Sequence, residues 1–120
     1  MATTILVADD SIMQHKLIQK CLADSDYDPI AFASNGREAV NLYSEHKPDV
    51  ILLDIVMPDM DGIDALKGIR AENENAIVVM ASSYGTEESV ETALRAGAKG
   101  FIQKPYVRDE LLKVLNKAVS

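Results

Sequence analysis

Five short apolar runs, rich in β-branched residues, recur along the chain at intervals of 20 to 27 residues. Each interval carries apolar residues at helical spacing, such as Met13, Leu17 and Cys21, and a last stripe with Leu111 and Leu115 follows the fifth run. Continuous apolar strands that alternate with helices indicate a parallel sheet covered on both faces. Five units are too few for an eight-stranded barrel, so the pattern predicts an open, doubly wound five-stranded sheet of the α/β class. The runs occupy residues 5–8, 30–33, 50–53, 77–81 and 101–102.

Polar residues at the ends of the stripes support the predicted helices. Ser11 with Gln14 and Asn35 with Glu38 fit capping boxes, in which each side chain bonds the other residue's backbone N–H. Gly97 follows the fourth stripe and is a typical helix stop. Asp59 and Asp61 are expected to be turn residues between Pro58 and Gly62, and Asp61 is the expected cap of the third helix.

Composition and charge exclude several classes of protein. The 120 residues suit one domain, and the net charge of −7 argues against nucleic acid as a direct partner. The one cysteine cannot form an internal disulfide. No apolar run is long enough for membrane insertion, and the first residues lack the basic start of a signal peptide. The cytoplasm is therefore the expected location.

Functional side chains follow the predicted strands. Asp9 and Asp10 come after the first, Asp54 after the third, Ser82 after the fourth, and Lys104 shortly after the fifth. In an open α/β sheet, sites form beyond the carboxyl ends of the strands, where the strand order reverses. If the first and third strands are neighbours, three carboxylates meet there.

Such a cluster predicts a cation and phosphoryl chemistry. Neighbouring carboxylates repel one another, and Mg²⁺ is the hard cation that takes their oxygens as ligands. Mg²⁺ and the Lys104 ammonium would together hold a phosphoryl group, with Asp54 as the nucleophile and Ser82 as a donor to a phosphoryl oxygen.

These residues carry a resemblance that runs over essentially the whole chain. Asp9-Asp10, the stretch DIVMPDMDG at 54–62, AGAKG at 96–100 and Lys104-Pro105 resemble the receiver domain of two-component response regulators, and most closely the short CheY-like regulators of chemotaxis. The resemblance implies a flavodoxin-like (βα)5 fold with strand order 2-1-3-4-5 and helices on both faces. It also implies that residues 1–120 form one receiver domain.

The resemblance assigns roles residue by residue. It implies that Asp54 is the phosphoacceptor and that Asp9, Asp10, Asp54 and the Val56 backbone carbonyl hold Mg²⁺. Lys104 would contact the phosphoryl group, with the Lys104-Pro105 bond cis. Ser82 would be the switch hydroxyl, and Phe101 the aromatic switch residue that turns inward when Ser82 moves.

The resemblance also implies the partners of the chain. A sensor histidine kinase would donate the phosphoryl group, and a phosphatase would be a further partner. The fourth helix, fifth strand and fifth helix would form the output surface, with the flagellar motor switch as the expected target. A phosphorelay intermediate, or a receiver excised from a longer response regulator, is the alternative.

Four positions depart from the commonest family pattern or tune it. Ser82 stands where Thr is commoner, which keeps the hydroxyl. Phe101 stands where chemotaxis regulators often have Tyr, so no phenolic hydroxyl is available for output. Val56 and Tyr84 occupy the positions that control water access to the phosphorylated aspartate. Their bulk predicts slow autodephosphorylation.

Three other functional classes fit these residues less well than a switch does. A phosphatase enzyme with an aspartyl nucleophile often carries a second Asp two residues later, where this chain has Val56. A flavin-binding electron carrier would need a phosphate loop after the first strand, where Asp9 and Asp10 would repel the phosphate. A phosphorylation-independent interaction module would not need the full set of polar residues. The sequence therefore predicts a switch, not a turnover enzyme on an external substrate.

Several conspicuous side chains have purely structural interpretations. His15 and His46 lie on different elements without a partner at ligand spacing, so both are expected on the surface. Cys21 and the Met13 and Met57 side chains are expected to pack in the interior. Tyr106 is left open between packing and a partner surface.

Overall fold

The computed structural model describes residues 3–83 and 85–120, in which strands and helices alternate from β1 to α5. The five strands form one parallel sheet in the order β2-β1-β3-β4-β5, which confirms the predicted doubly wound fold. The elements are β1 (Thr3–Ala8), α1 (Ile12–Leu22), β2 (Tyr27–Ala33), α2 (Gly36–His46), β3 (Val50–Asp54), α3 (Gly62–Glu72), β4 (Val78–Ser82), α4 (Glu87–Arg95), β5 (Gly100–Gln103) and α5 (Arg108–Val119).

Helices cover both faces of the sheet, and successive residues of each strand point to opposite faces. In β3, Ile51 and Leu53 pack under α2, α3 and α4, whereas Val50 and Leu52 pack under α1 and α5. Every residue of β3 is buried, which explains why this strand reads as a continuous apolar run. Across residues 3–83 and 85–120, no helix is both long and apolar enough to cross a membrane.

The edge strand β2 begins earlier than its apolar run predicts. It starts at Tyr27 and includes Asp28 and Pro29, and its pairing with β1 shifts register between Ile5 and Leu6. Pro29 has no N–H to donate to a ladder, and such a residue is tolerated at a sheet edge or an irregularity. Because Asp28 and Pro29 interrupt the apolar pattern, the sequence predicted only the second half of this strand.

The helix ends match the sequence in part. Ser11, Asn35 and Asp61 each accept a hydrogen bond from the backbone N–H three residues later, as expected of N-caps. Gly97 follows α4 with a positive φ of 109°, a conformation that favours glycine. The Ser11 capping box is incomplete, because the Ser11 N–H donates to the Asp9 carboxylate at 2.9 Å instead of to Gln14.

Gly62 fixes the loop after β3 against the strand end. Its N–H donates to the Ile55 carbonyl at 2.6 Å, and an added Cβ would overlap the Asp54 carbonyl oxygen and lie 2.6 Å from Ile55 Cα. Both neighbours are backbone atoms that cannot rotate away. Only glycine fits where the first turn of α3 meets the end of β3.

This close approach predicts opposite outcomes for two glycines of α3. Gly62→Ala should lower the free energy of unfolding by about 3 kcal/mol, because backbone must move to admit the methyl group. Gly68→Ala should raise it by about 0.5–1 kcal/mol, since glycine is unfavourable in a helix interior. There, the nearest atom to an added Cβ is Val40 Cγ2 at 3.4 Å. Urea unfolding measures both, and changes of the same sign would contradict the prediction.

Candidate functional site

The site lies where β1 and β3 end side by side. Ala8 pairs with Leu53, so the next residues, Asp9 and Asp54, emerge together at the carboxyl edge of the sheet. Asp9 is fully buried and Asp54 is 5% exposed, whereas Asp10 is exposed. Oxygen atoms of the three carboxylates lie within 4.8 Å of one another. The predicted meeting of the three acidic side chains is therefore observed.

Lys104 reaches this cluster from the loop after β5. Its Nζ lies 2.6 Å from Asp9 Oδ2 and 3.0 Å from Asp54 Oδ2. The Lys104 backbone N–H donates to the Ser82 carbonyl, and the Lys104-Pro105 peptide bond is cis, as the resemblance implied. One ammonium thus bridges the two buried carboxylates.

Burial and charge set the ionisation of the bridge. Burial raises the pKa of Asp54, while the hydrogen bond and charge of Lys104 partly oppose the rise. Burial alone would lower the pKa of Lys104, but its hydrogen bonds to Asp9 and Asp54 and their charges outweigh this, so the Lys104 pKa is raised. Lys104 therefore stays an ammonium at neutral pH.

A cavity of about 310 Å³ opens onto these groups. Besides the three aspartates and Lys104, its walls include Ser11, Gln14, Val56, Ser82 and Ser83. The Val56 side chain is 67% exposed at its mouth, and Ser82 is 4% exposed at the end of β4. Ser82 and Val56 therefore line the same cavity as the three aspartates.

Phe101 lies in β5, outside the walls of the cavity. It is half-buried and packs against the core beneath α2, α3 and α4. An atom added at Gly85 would contact the Phe101 ring at 3.4 Å, so the loop before α4 passes directly over this ring. The expectation for Tyr84 falls outside the described residues.

The structure corrects three expectations about individual side chains. Met13 is 78% exposed, as is its neighbour Ile12 at 69%, so the apolar residues in the first turn of α1 are not part of the core. His15 is half-buried and contacts Asp9, so it is not a free surface residue. The capping partner expected of Gln14 is missing, since the Asp9 carboxylate takes the Ser11 N–H. Cys21 and Met57 are buried as predicted.

Tyr106, whose role the sequence left open, is a packing residue. It is 5% exposed, joins the core beneath α1 and α5, and its ring lies 5.8 Å from the Lys104 ammonium. Burial raises the pKa of its hydroxyl above the ordinary tyrosine value, with the charges of Asp9 and Asp54 adding to the rise. Its ring helps to confine the lysine.

The donor set fits a hard divalent cation. Three carboxylates against one ammonium leave a formal excess of negative charge, and carboxylate oxygens are the ligands that Mg²⁺ prefers. In the described part of the chain, Gln14 Oε1 is buried without a hydrogen-bond partner, and Gln14 lines the cavity. A hydrated cation would offer that acceptor a water hydrogen.

The fold and this edge of the sheet define a class of protein. Residues 5–116 match the model of the response regulator receiver domain, so the chain belongs to the response regulator receiver family.

Particular relatives extend along nearly the whole chain. The chain is 44% identical over 114 residues to the chemotaxis protein CheY of Listeria monocytogenes, which covers 95% of this chain and 96% of that protein. It is 41% identical to the chemotaxis protein CheY of Bacillus subtilis over all of both chains. The crystal structure of the CheX-CheY-BeF3-Mg²⁺ complex from Borrelia burgdorferi matches with a TM-score of 0.94 at 36% identity, covering 98% of this chain and 90% of that one.

The raised pKa of Asp54 predicts that the wild type and an Asp54→Asn variant differ in stability by an amount that depends on pH. Ionised Asp54 is disfavoured in the folded state, so its contribution to the free energy of unfolding falls as the pH rises through the raised pKa. Asp54→Asn should raise the melting temperature at pH 7 by a few degrees. The gain should shrink as the pH falls toward the ordinary aspartate pKa of 3.8, where the wild-type carboxyl is protonated in both states.

Thermal melts of the metal-free protein across this pH range measure the difference. Asp59→Asn, at an exposed turn position, is the control and should show no such trend. A gain for Asp54→Asn that is independent of pH, or a loss at pH 7, would contradict the assignment.

Proposed function

We propose that this chain is a phosphorylation-activated switch of chemotaxis signalling, in which residues 1–120 act as one receiver domain and Asp54 accepts the phosphoryl group. The observation that carries the proposal is the Asp54 carboxylate, held 3.0 Å from the Lys104 ammonium beside Asp9 and Asp10 at an open cavity. The CheY relatives, 41% and 44% identical over nearly their full lengths, support the chemotaxis role.

Asp9, Asp10 and Asp54, with the Val56 backbone carbonyl, would hold Mg²⁺. The clustering of the three carboxylate oxygens within 4.8 Å supports this ligand set. When bound, Mg²⁺ supplies positive charge that offsets the repulsion between the aspartates and the oxygens of an incoming phosphoryl group. The site then accepts an anion that the carboxylates alone would exclude.

Asp54 acts as the nucleophile in the transfer. A carboxylate oxygen of Asp54 forms a bond to phosphorus while the bond from phosphorus to the donor's imidazole nitrogen breaks, and the imidazole leaves with the bonding electrons. Lys104 holds Asp54 Oδ2 at 3.0 Å and so orients the carboxylate. The Ser82 hydroxyl lies in the same cavity wall and donates to a phosphoryl oxygen of the product.

The output surface consists of α4, β5 and α5. Ala93 is the one buried residue of α4, whereas α3 buries Gly62, Ala65, Leu66 and Ile69. A helix with so few buried contacts changes position at low cost in free energy. The loop before α4 passes over Phe101, so a shift of Ser82 toward the phosphoryl group, followed by Phe101, alters this surface.

The partners follow from the same chemistry. A sensor histidine kinase supplies the phosphohistidine donor, and the output surface controls the flagellar motor switch. A phosphatase is a further partner, and the Borrelia burgdorferi complex shows that a related CheY binds a second protein, CheX. The chain works in the cytoplasm as a switch, with no turnover of an external substrate.

Acetyl phosphate tests the phosphoacceptor directly. With Mg²⁺ present, intact-mass measurement should show a single phosphoryl adduct on the wild-type chain. Asp54→Asn should give none, because the amide is not a competent nucleophile, whereas Asp59→Asn should label like the wild type. Omitting Mg²⁺ should abolish labelling. An adduct on Asp54→Asn, or none on the wild type with Mg²⁺, would overturn the assignment.

Val56 should slow the loss of the phosphoryl group. Its side chain is 67% exposed at the mouth of the cavity, where a branched apolar group hinders an attacking water. Val56→Asn should accelerate autodephosphorylation severalfold, because the amide admits and orients water. Loss of radiolabel from the phosphorylated chain measures the rate. Val107→Asn, at a valine that is 52% exposed on the loop before α5, is the control, and equal rates for both variants would contradict the prediction.

A further inference from the structure

His15 is tied to the backbone of the aspartate pair. Its Nε2 lies 2.7 Å from the Asp9 carbonyl oxygen, and its ring centroid lies 5.0 Å from that of Phe32 with the planes 35° apart. A carbonyl oxygen only accepts, so Nε2 carries the hydrogen and donates it. The imidazole therefore joins α1 to the turn after β1, while Phe32 in β2 supports the ring.

This bond completes the fixation of Asp9. The Asp9 N–H donates to the Ala33 carbonyl at 2.9 Å, and its carboxylate accepts from the Ser11 N–H and from Lys104 Nζ. The carbonyl, beyond the last paired residue of β1, is bound by His15. Each polar group of Asp9 thus has a named partner.

The consequence falls on Asp10. A peptide unit is planar, so holding the Asp9 carbonyl also sets the orientation of the Asp10 N–H and Cα. Asp10 is the exposed member of the carboxylate cluster and has the most conformational freedom to lose when it binds a cation. A fixed peptide plane reduces that loss.

We propose that His15 is a positioning residue of the cation site: its Nε2–H holds the Asp9–Asp10 peptide, and Phe32 holds the imidazole, so that the Asp10 carboxylate faces Asp9 and Asp54. The proposal rests on the proposed function in taking Mg²⁺ as the cation. Groups that orient the ligands of a metal contribute to its affinity without touching it.

Two substitutions of His15 distinguish the effect of its hydrogen bond from the effect of its ring packing. His15→Phe keeps an aromatic ring against Phe32 but removes the donor, whereas His15→Gln loses the ring but keeps an amide N–H at a similar reach. His46→Phe is the matched control, because His46 is the exposed last residue of α2, away from the site.

Calorimetric titration of each folded variant with MgCl2 alone, without a phosphodonor, measures the effect. His15→Phe should raise the dissociation constant for Mg²⁺ about tenfold. His15→Gln should stay within about threefold of the wild type because the donor is retained, and His46→Phe should leave the constant unchanged. Equal affinity of His15→Phe and wild type, or an equal loss in His15→Phe and His15→Gln, would overturn the proposal.

Amide hydrogen exchange in the metal-free protein gives a second readout. The Ser11 N–H donates to the Asp9 carboxylate, so it reports how firmly the turn is held. His15→Phe should accelerate exchange of this amide, with amides of β3 unchanged as an internal control. If the wild type fails to bind Mg²⁺, the cation assignment under the proposed function is wrong. Exchange at Ser11 then still decides whether His15 positions the turn, and an unchanged rate in His15→Phe would overturn it.

Discussion

The bridge that Lys104 forms between Asp9 and Asp54 is the interaction on which the site depends. Two carboxylates buried at adjacent strand ends would repel each other and lose their hydration, so the folded state needs a cation between them. Lys104 supplies one at 2.6 and 3.0 Å. The same contacts join β1, β3 and the loop after β5, so the charge balance of the site also holds three segments of the chain together.

The rest of the structure divides into a rigid frame and a loosely held surface. Gly62 packs backbone against backbone at the end of β3, and His15 fixes the peptide after Asp9. These contacts hold Asp9, Asp10 and Asp54, the residues of the proposed cation and phosphoryl site, in place. By contrast, Ala93 is the one residue of α4 that is buried. A phosphoryl group added to a rigid site next to a weakly anchored helix has a means of changing the surface without disturbing the core.

Much of this was predictable from short-range patterns. The central strands read as apolar runs because both faces of the sheet are covered. Asp9, Asp54 and Ser82 follow those runs directly, and Lys104 comes two residues after the fifth run. The errors fell where local pattern and environment differ. Pro29 interrupts the apolar pattern at the start of the edge strand β2, and Met13 has the spacing of a core residue although it is 78% exposed.

By itself, the sequence determined the order of strands and helices and which chemical groups stand at the strand ends, because burial imposes a periodicity that is legible in one dimension. Only the tertiary structure decided the partners: Lys104 meets a carboxylate 95 residues away, and the Ser11 N–H prefers the Asp9 carboxylate to Gln14. It also placed His15 between Asp9 and the Phe32 ring. Such contacts depend on how the strands and the loops after them are set side by side, which no periodicity along the chain records.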